Sequence, residues 1–375
     1  MAQYAIPCSV YRGGTSRGLF FHEKDLPMNR REKHRVFLEA IDAYNPSQID
    51  GLGSGTSHTS KVVVISPSER EDADVNYTFY QIGIGQEVVD DKGTCGNLMA
   101  AVGSFAVNEN LVKGSTYTEG TVRAFNTNIG KMIAIHVPVE NGLAKVQGSY
   151  QMPGAVNPGA KYAVHILDPG GGKTGKTLPL GSVHKENDLA YSFVDLVNPF
   201  VHLEASAFHL DGTESNDRMS SNEDLLANLE TVRSGSAVAS GMEETIEQAR
   251  KAPAVPKVAL VAPPRTYVTT SGTTINKKDI DITAKMISMG KVHRTFAGSG
   301  LYNLAASTLL PGTVPNRIAS VKQNGVVRIG HPDGIAEVMV SLTDDGEDIS
   351  SVGLNRTARL IMKGEVYVRS QTSKQ

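Results

Sequence analysis

Short runs of β-branched and apolar residues, separated by glycine, dominate the first half of the chain. AIPCSVYR, RGGTSRG, LFF, KVVVIS and VNYTFYQIGI read as strands, because branched side chains at period-two spacing suit a pleated, half-buried surface. Between them NRREKHRVFLEAIDAY sets Val36, Phe37, Ala40, Ile41 and Tyr44 on one face of a helix, and Pro46 ends it. TVRAF, MIAIHV and AKYAVHIL add further strands. In the second half YSFVDLVNPFVHL reads as a strand pair. Asn222 to about Arg250 reads as a helical tract interrupted near Ser234-Gly235-Ser236, and KVALVA, VVRIGH, AEVMVSL and EVYVR read as strands. Strand-rich halves, each with one apolar central helix, predict an α+β fold with mixed sheets. The composition break from Asp168 to Gly181, DPGGGKTGKTLPLG, predicts a linker between domains over 1–180 and 181–375, with a terminal strand that can cross back.

The two central helices open in the same way. Gly93-Thr94-Cys95-Gly96-Asn97 precedes LMAAVGSFAV, and Phe296-Ala297-Gly298-Ser299-Gly300 precedes LYNLAAS. A helix start leaves N–H groups unpaired and carries partial positive charge, so it stabilises a thiolate at Cys95 and can hold a carboxylate. The second copy has Ala297 where the first has the thiol. Two other small-polar segments, Gly13-Gly14-Thr15-Ser16-Arg17 and Gly53 to Lys61, also present amides and hydroxyls. Together they suit an anionic ligand with several carboxylates, with Thr15, Ser16, Arg17, Ser60, Gly96, Asn97, Ser299 and Gly300 as its contacts. Lys61, between a polar run and the apolar VVVI, is either a solvated lysine or an acid–base group near Cys95. Cys8, inside an apolar strand, reads as packed core.

Composition narrows the function classes. A chain of 375 residues holds two domains of ordinary size. A net charge of −2 argues against nucleic acid as partner. With only two cysteines and no long apolar run, a cytoplasmic protein that neither carries a disulfide framework nor enters a membrane is expected. Gly170 to Thr177 matches the P-loop spacing, but Pro179 and Gly181 follow where the phosphate-holding helix should start, so an exposed linker without nucleotide binding is expected. The histidines show no metal-ligand spacing, and His331 reads either as a residue holding its turn or as one bordering the site. Asn126 and Asn128 either border the site or satisfy turn backbone.

One ordered series of segments adds a resemblance. IPCSVYRGGTSRGLFF, Asp50-Gly51-Leu52-Gly53 to Thr59-Ser60-Lys61, DADVNYTFYQ, TCGNLMAAVGSFAV, FNTNIGK, TGKTLP, LPGTV, VRIGHP and RTARLIMKGEVYV resemble the 2-methylaconitate cis–trans isomerase family, which includes methylitaconate Δ-isomerases and oxalomesaconate tautomerases. The match runs from about Ile6 to Arg369; Gly55-Thr56-Ser57-His58 departs from the Asn/Asp-Pro-Leu of relatives. The resemblance implies two similar diaminopimelate-epimerase-like domains, each a mixed sheet wrapped around a central helix, with the active site in the interdomain cleft. It implies Lys61 and Cys95 as the acid–base pair of a proton-transfer isomerase acting on an aconitate-like di- or tricarboxylate, without metal or organic cofactor. The expected partner is that small carboxylate, a homodimer being the assembly left open. A non-catalytic carboxylate-binding protein and a two-cysteine epimerase are the competing readings.

Overall fold

The computed structural model describes residues 3–113, 120–186, 188–322 and 325–370. They form two compact units: the described residues up to Ile166 together with those from Asn355, and Leu167–Leu354. Asp168–Gly181, expected as a linker on the border, thus lies within the second unit.

In the first unit, β1 (Gln3–Gly13) and β2 (Ser16–His22) form an antiparallel hairpin, so RGGTSRG, read as one strand, is two strand ends joined by a turn at Gly14-Thr15. Gly14 has φ +54°, a value that favours glycine. There follow α1 (Arg30–Ile41), β3 (Lys61–Pro67), β4 (Val75–Ile82), β5 (Val89–Asp90), α2 (Met99–Asn108), β6 (Gly120–Asn126), β7 (Lys131–Val137), the two-residue strands β8 (Val139–Glu140) and β9 (Leu143–Ala144), and β10 (Tyr162–Leu167). β3 runs parallel to β2, and β6 parallel to β4. The pairs β3–β4, β6–β7 and β7–β10 are antiparallel. The strand Ala358–Arg369 closes the far side against β1.

Alternation gives this sheet two faces. Cys8, Leu19, Phe21, Val62, Val64 and Tyr80 pack with Val36, Phe37, Ala40 and Ile41 of α1. The intervening residues face α2, where Tyr11, Phe20 and Phe105 have ring centroids 5.0–5.9 Å apart. Every residue from Met99 to Val107 is buried, as befits a helix enclosed by sheet.

The second unit repeats this order. It contains β11 (His184–Glu186), β12 (Leu189–Leu196), β13 (Asn198–Glu204), α3 (Asn216–Ser220), α4 (Glu223–Ala239), α5 (Ile246–Lys251), β14 (Lys257–Ala262), β15 (Tyr267–Val268), β16 (Thr274–Ile275), β17 (Ile282–Ser288), β18 (Lys291–Val292), α6 (Gly298–Leu309), α7 (Val314–Ile318), β19 (Val326–His331), β20 (Gly334–Leu342) and β21 (Ile349–Arg356). The hairpin β12–β13, the parallel step to β14, the antiparallel β17, the parallel β19 and the antiparallel β20 and β21 reproduce the first unit's sequence of pairings. α6 takes the place of α2 and is likewise buried from Gly300 to Thr308. The fold is α+β, two units each wrapping a mixed sheet around a central helix.

One local expectation is corrected. α4 runs unbroken through Ser234-Gly235-Ser236, where the buried serine hydroxyls find partners inside the helix by donating back to the carbonyls of Glu230 and Arg233. The break comes at Gly241, φ +76°. The strand Ala358–Arg369, hereafter β22, pairs with β1 in the first unit's sheet. No helix among the described residues is long and apolar enough to cross a membrane.

Candidate active site

Ser16 and Gly18 stand two apart on β2 and so share the face that looks toward α2. Cys95 Sγ lies 3.9 Å from Ser16 Oγ, and Asn97 Nδ2 donates to Thr15 Oγ1 at 3.1 Å and lies 3.5 Å from Ser16 Oγ. A Cβ on Gly18 would lie 3.0 Å from both Leu98 Cδ1 and the Lys61 carbonyl oxygen, and one on Gly13 would lie 2.6 Å from the Asn97 carbonyl oxygen. Glycine at 13 and 18 therefore lets the hairpin seat the start of α2 beside the start of β3. Cys95 and Lys61 are brought to one end of one sheet face.

Cys95 is half-buried in the turn that leads into α2, with its carbonyl accepting from Leu98 N–H at 3.1 Å. Among the described residues the N–H groups of Gly96 and Asn97 meet no acceptor, and no side chain caps the helix. Both lie in the turn just ahead of α2, at the positive end of its dipole. Lys61, the first residue of β3, is buried; its Nζ donates to Gln81 Oε1 at 2.6 Å and lies 5.1 Å from the Phe79 ring centroid. Gln81 Nε2 in turn donates to the carbonyls of Ser57 and Ser60, fixing the loop ahead of Lys61. Gln81 and Phe79 escaped the sequence reading, because the register that sets Lys61 opposite Gln81 is decided by the hairpin and not by any motif.

The other expected contacts divide. Thr15 is exposed and Ser16 buried, both beside Cys95 and Asn97. Ser60 is fully buried, its hydroxyl donating to Gln48 Oε1 and Thr56 O, which makes it part of the loop's own framework rather than a ligand contact. Arg17 donates to the Leu52 carbonyl through Nη2 and to His58 through its backbone N–H, bracing the same loop. In the second unit the Gly300 N–H closes a turn on the Ala297 carbonyl at 2.9 Å and is not free to bind a ligand. Gly300 instead allows close packing, since a Cβ there would lie 2.6 Å from Phe296 Cε1. Ser299 remains at the start of α6.

Register identifies a counterpart of Lys61 that the sequence did not reveal. Lys257 opens β14 as Lys61 opens β3, each beside a strand in parallel register, but Lys257 Nζ donates to the Ala254 carbonyl at 2.8 Å. Ala297 occupies the place of Cys95, so among the described residues a lysine and a cysteine meet at a central-helix start only in the first unit. Cys8 is buried on the α1 face, where burial pushes its thiol up to about 12. His331 Nδ1 accepts from Asp333 N–H at 3.3 Å and serves its turn, and burial lowers its pKa to about 4. Among the described residues no group of three or more acidic, histidine or cysteine side chains is arranged to hold a metal.

The PrpF protein family profile matches residues 3–369. The chain belongs to the PrpF family. It is 39% identical over 374 residues to the 3-methylitaconate isomerase of Eubacterium barkeri, covering 98% of each chain. It is 33% identical over 386 aligned positions to the 2-methyl-aconitate isomerase of Shewanella oneidensis, covering 98% of this chain and 97% of that one. The crystal structure of a methylitaconate-delta-isomerase superposes with a TM-score of 0.93 at 38% identity, covering 98% of this chain and 96% of that one. Like these PrpF relatives, the protein is an isomerase.

Proposed function

We propose that this PrpF-family isomerase moves a proton on an unsaturated di- or tricarboxylate of the aconitate type, with Lys61 and Cys95 as the proton-transfer pair. The observation that carries the reading is their placement: a buried ammonium and a half-buried thiol on one sheet face, beside two unpaired amides at a helix start. The acid to be broken is a C–H conjugated through a double bond to a carboxylate. Its removal gives a dienolate whose charge rests on carboxylate oxygens, which the preorganised N–H groups of Gly96 and Asn97 stabilise as it develops. Return of the proton to the same carbon after rotation about the weakened double bond gives the cis–trans isomer. Return to the far end of the allylic system shifts the double bond. With Ala297 in the position of a second thiol, two-cysteine epimerisation is not supported.

Incubation with cis-aconitate, trans-aconitate, 2-methylaconitate, methylitaconate and oxalomesaconate in D₂O, followed by proton NMR, tests the substrate class. Deuterium is expected at the migrating position. Cys95→Ser and Lys61→Ala should each lower turnover roughly 10²–10⁴-fold, the usual contribution of a positioned acid–base group. Near-normal turnover in both variants would remove this site from the reaction.

A further inference from the structure

Cys95 sits on the segment between β5 and α2, in which Lys92 and Gly93 are exposed and a Cβ on Gly93 would touch nothing. Such a segment has little packing of its own to fix a thiol within the fraction of an ångström that proton transfer needs. Its two feet are held instead by one turn, that between β6 and β7. Asn126, fully buried, donates from Nδ2 to Thr94 Oγ1 at 2.8 Å, immediately before Cys95. Asn126 Oδ1 accepts from the N–H groups of Asn128 and Ile129, which locks its amide in place. Asn128 Nδ2 donates to the Asp91 carbonyl at 2.7 Å, at the other foot of the segment. The same Asn128 side chain pairs with both backbone groups of Phe79, accepting from its N–H at 2.8 Å and donating to its carbonyl at 2.9 Å. Phe79 is the residue whose ring lies under the Lys61 ammonium.

From this geometry we infer that Asn126 and Asn128 are positioning residues that fix Cys95 and Lys61 relative to each other, so that one turn sets the alignment of both proton-transfer groups. The inference rests on the assignment of those two groups made above. Neither asparagine touches the reacting atoms; each acts through Thr94, Asp91 or Phe79.

The test compares Thr94→Val, Thr94→Ser, Asn126→Ala, Asn128→Ala and the double variant Thr94→Val/Asn126→Ala in the full chain. Turnover is measured on whichever of the five acids reacts fastest, alongside the pH dependence of Cys95 alkylation by iodoacetamide, which needs no substrate; buried Cys8 stays silent. Thr94→Val and Asn126→Ala are each expected to lower kcat by about 10- to 100-fold, the effect of a small misplacement at a reacting centre. Both should also move the alkylation midpoint. Thr94→Ser should restore both properties, and the double variant should be no worse than the worse single one, because the two partners make one contact. Asn128→Ala should lower kcat with Lys61 still present. Unchanged kcat and alkylation profile in Thr94→Val, or multiplied losses in the double variant, would overturn the inference. If Asn126→Ala does not fold, the contrast between Thr94→Val and Thr94→Ser decides alone. Should Cys95→Ser and Lys61→Ala stay active, the site assignment itself fails. Should they be dead while Thr94→Val keeps full kcat, the site stands and the clamp falls.

Discussion

His202 shows how a single residue sets a pH limit on the fold. It is fully buried on β13; its Nε2 lies 2.7 Å from Asn303 Oδ1 and 3.1 Å from Ser307 Oγ on α6, while its Nδ1 meets no partner among the described residues. A second proton would place charge on that orphaned nitrogen, and burial accordingly holds the pKa near 4, despite the raising influence of Asn303. Unfolded, the imidazole titrates near 6.5. Between those values the unfolded chain binds a proton that the folded chain does not. Stability is therefore full above pH 6.5 and falls as pH drops toward 4, by about 2 kcal/mol at pH 5 from this group. Urea unfolding at pH 7 and pH 5 should show a smaller pH difference in His202→Gln than in the wild type; equal differences would exonerate the histidine. At Gly13 the argument is steric. A Cβ there meets backbone of Asn97 and Leu98, so Gly13→Ala should displace the start of α2 and lower both thermal stability and kcat.

At the scale of elements, the glycine-rich loop at 170–177 shows what sequence spacing can and cannot say. It has no helix after it, yet it is not a free linker. The buried Asp195 carboxylate accepts from the N–H groups of Lys173 and Thr174 at 2.7 and 2.6 Å and from Thr174 Oγ1 at 2.9 Å. The amide cradle that a P-loop offers to phosphate is thus filled from within the chain. Asp195→Ala should destabilise the second unit by about 2–3 kcal/mol, since it strands donors that had a charged partner. ATP should leave the melting temperature of the wild type unmoved. The strands of the hairpins, α1 and the two central helices were legible because period-two and period-3.6 patterns report burial directly. β17 and β21 were not recognised. Lys285 interrupts the apolar run of β17, and β21 carries serine, glycine and asparagine where tertiary pairing, not propensity, makes the strand. Of the site, Cys95 and its helix start could be read locally. Asn126 and Asn128 could be named with two alternatives open, while Gln81 and Phe79 depend on register between strands and could not be read.

Over the whole molecule the same order of pairings occurs twice, but the proposed chemistry falls in one copy, with Lys257 and Ala297 standing where the other unit has Lys61 and Cys95. The copy that holds Lys61 and Cys95 is the discontinuous one. Its sheet is finished by β22, whose Val366 and Val368 pack into the same core as α1. Val368→Asp would bury a charge without a partner. Hydrogen exchange should accelerate across residues 3–166 in that variant and stay unchanged across 167–354; acceleration in both units would contradict their division. During synthesis the consequence is an inversion of the usual amino-terminal-first order. Residues 167–354 leave the ribosome as an uninterrupted unit, while the segment bearing Lys61 and Cys95 must wait, with one sheet edge open, until Ala358–Arg369 emerges. On the proposed assignment, a nascent chain arrested before Ala358 therefore has Lys61 and Cys95 translated and no enzyme, so that activity itself certifies that translation reached the far strand.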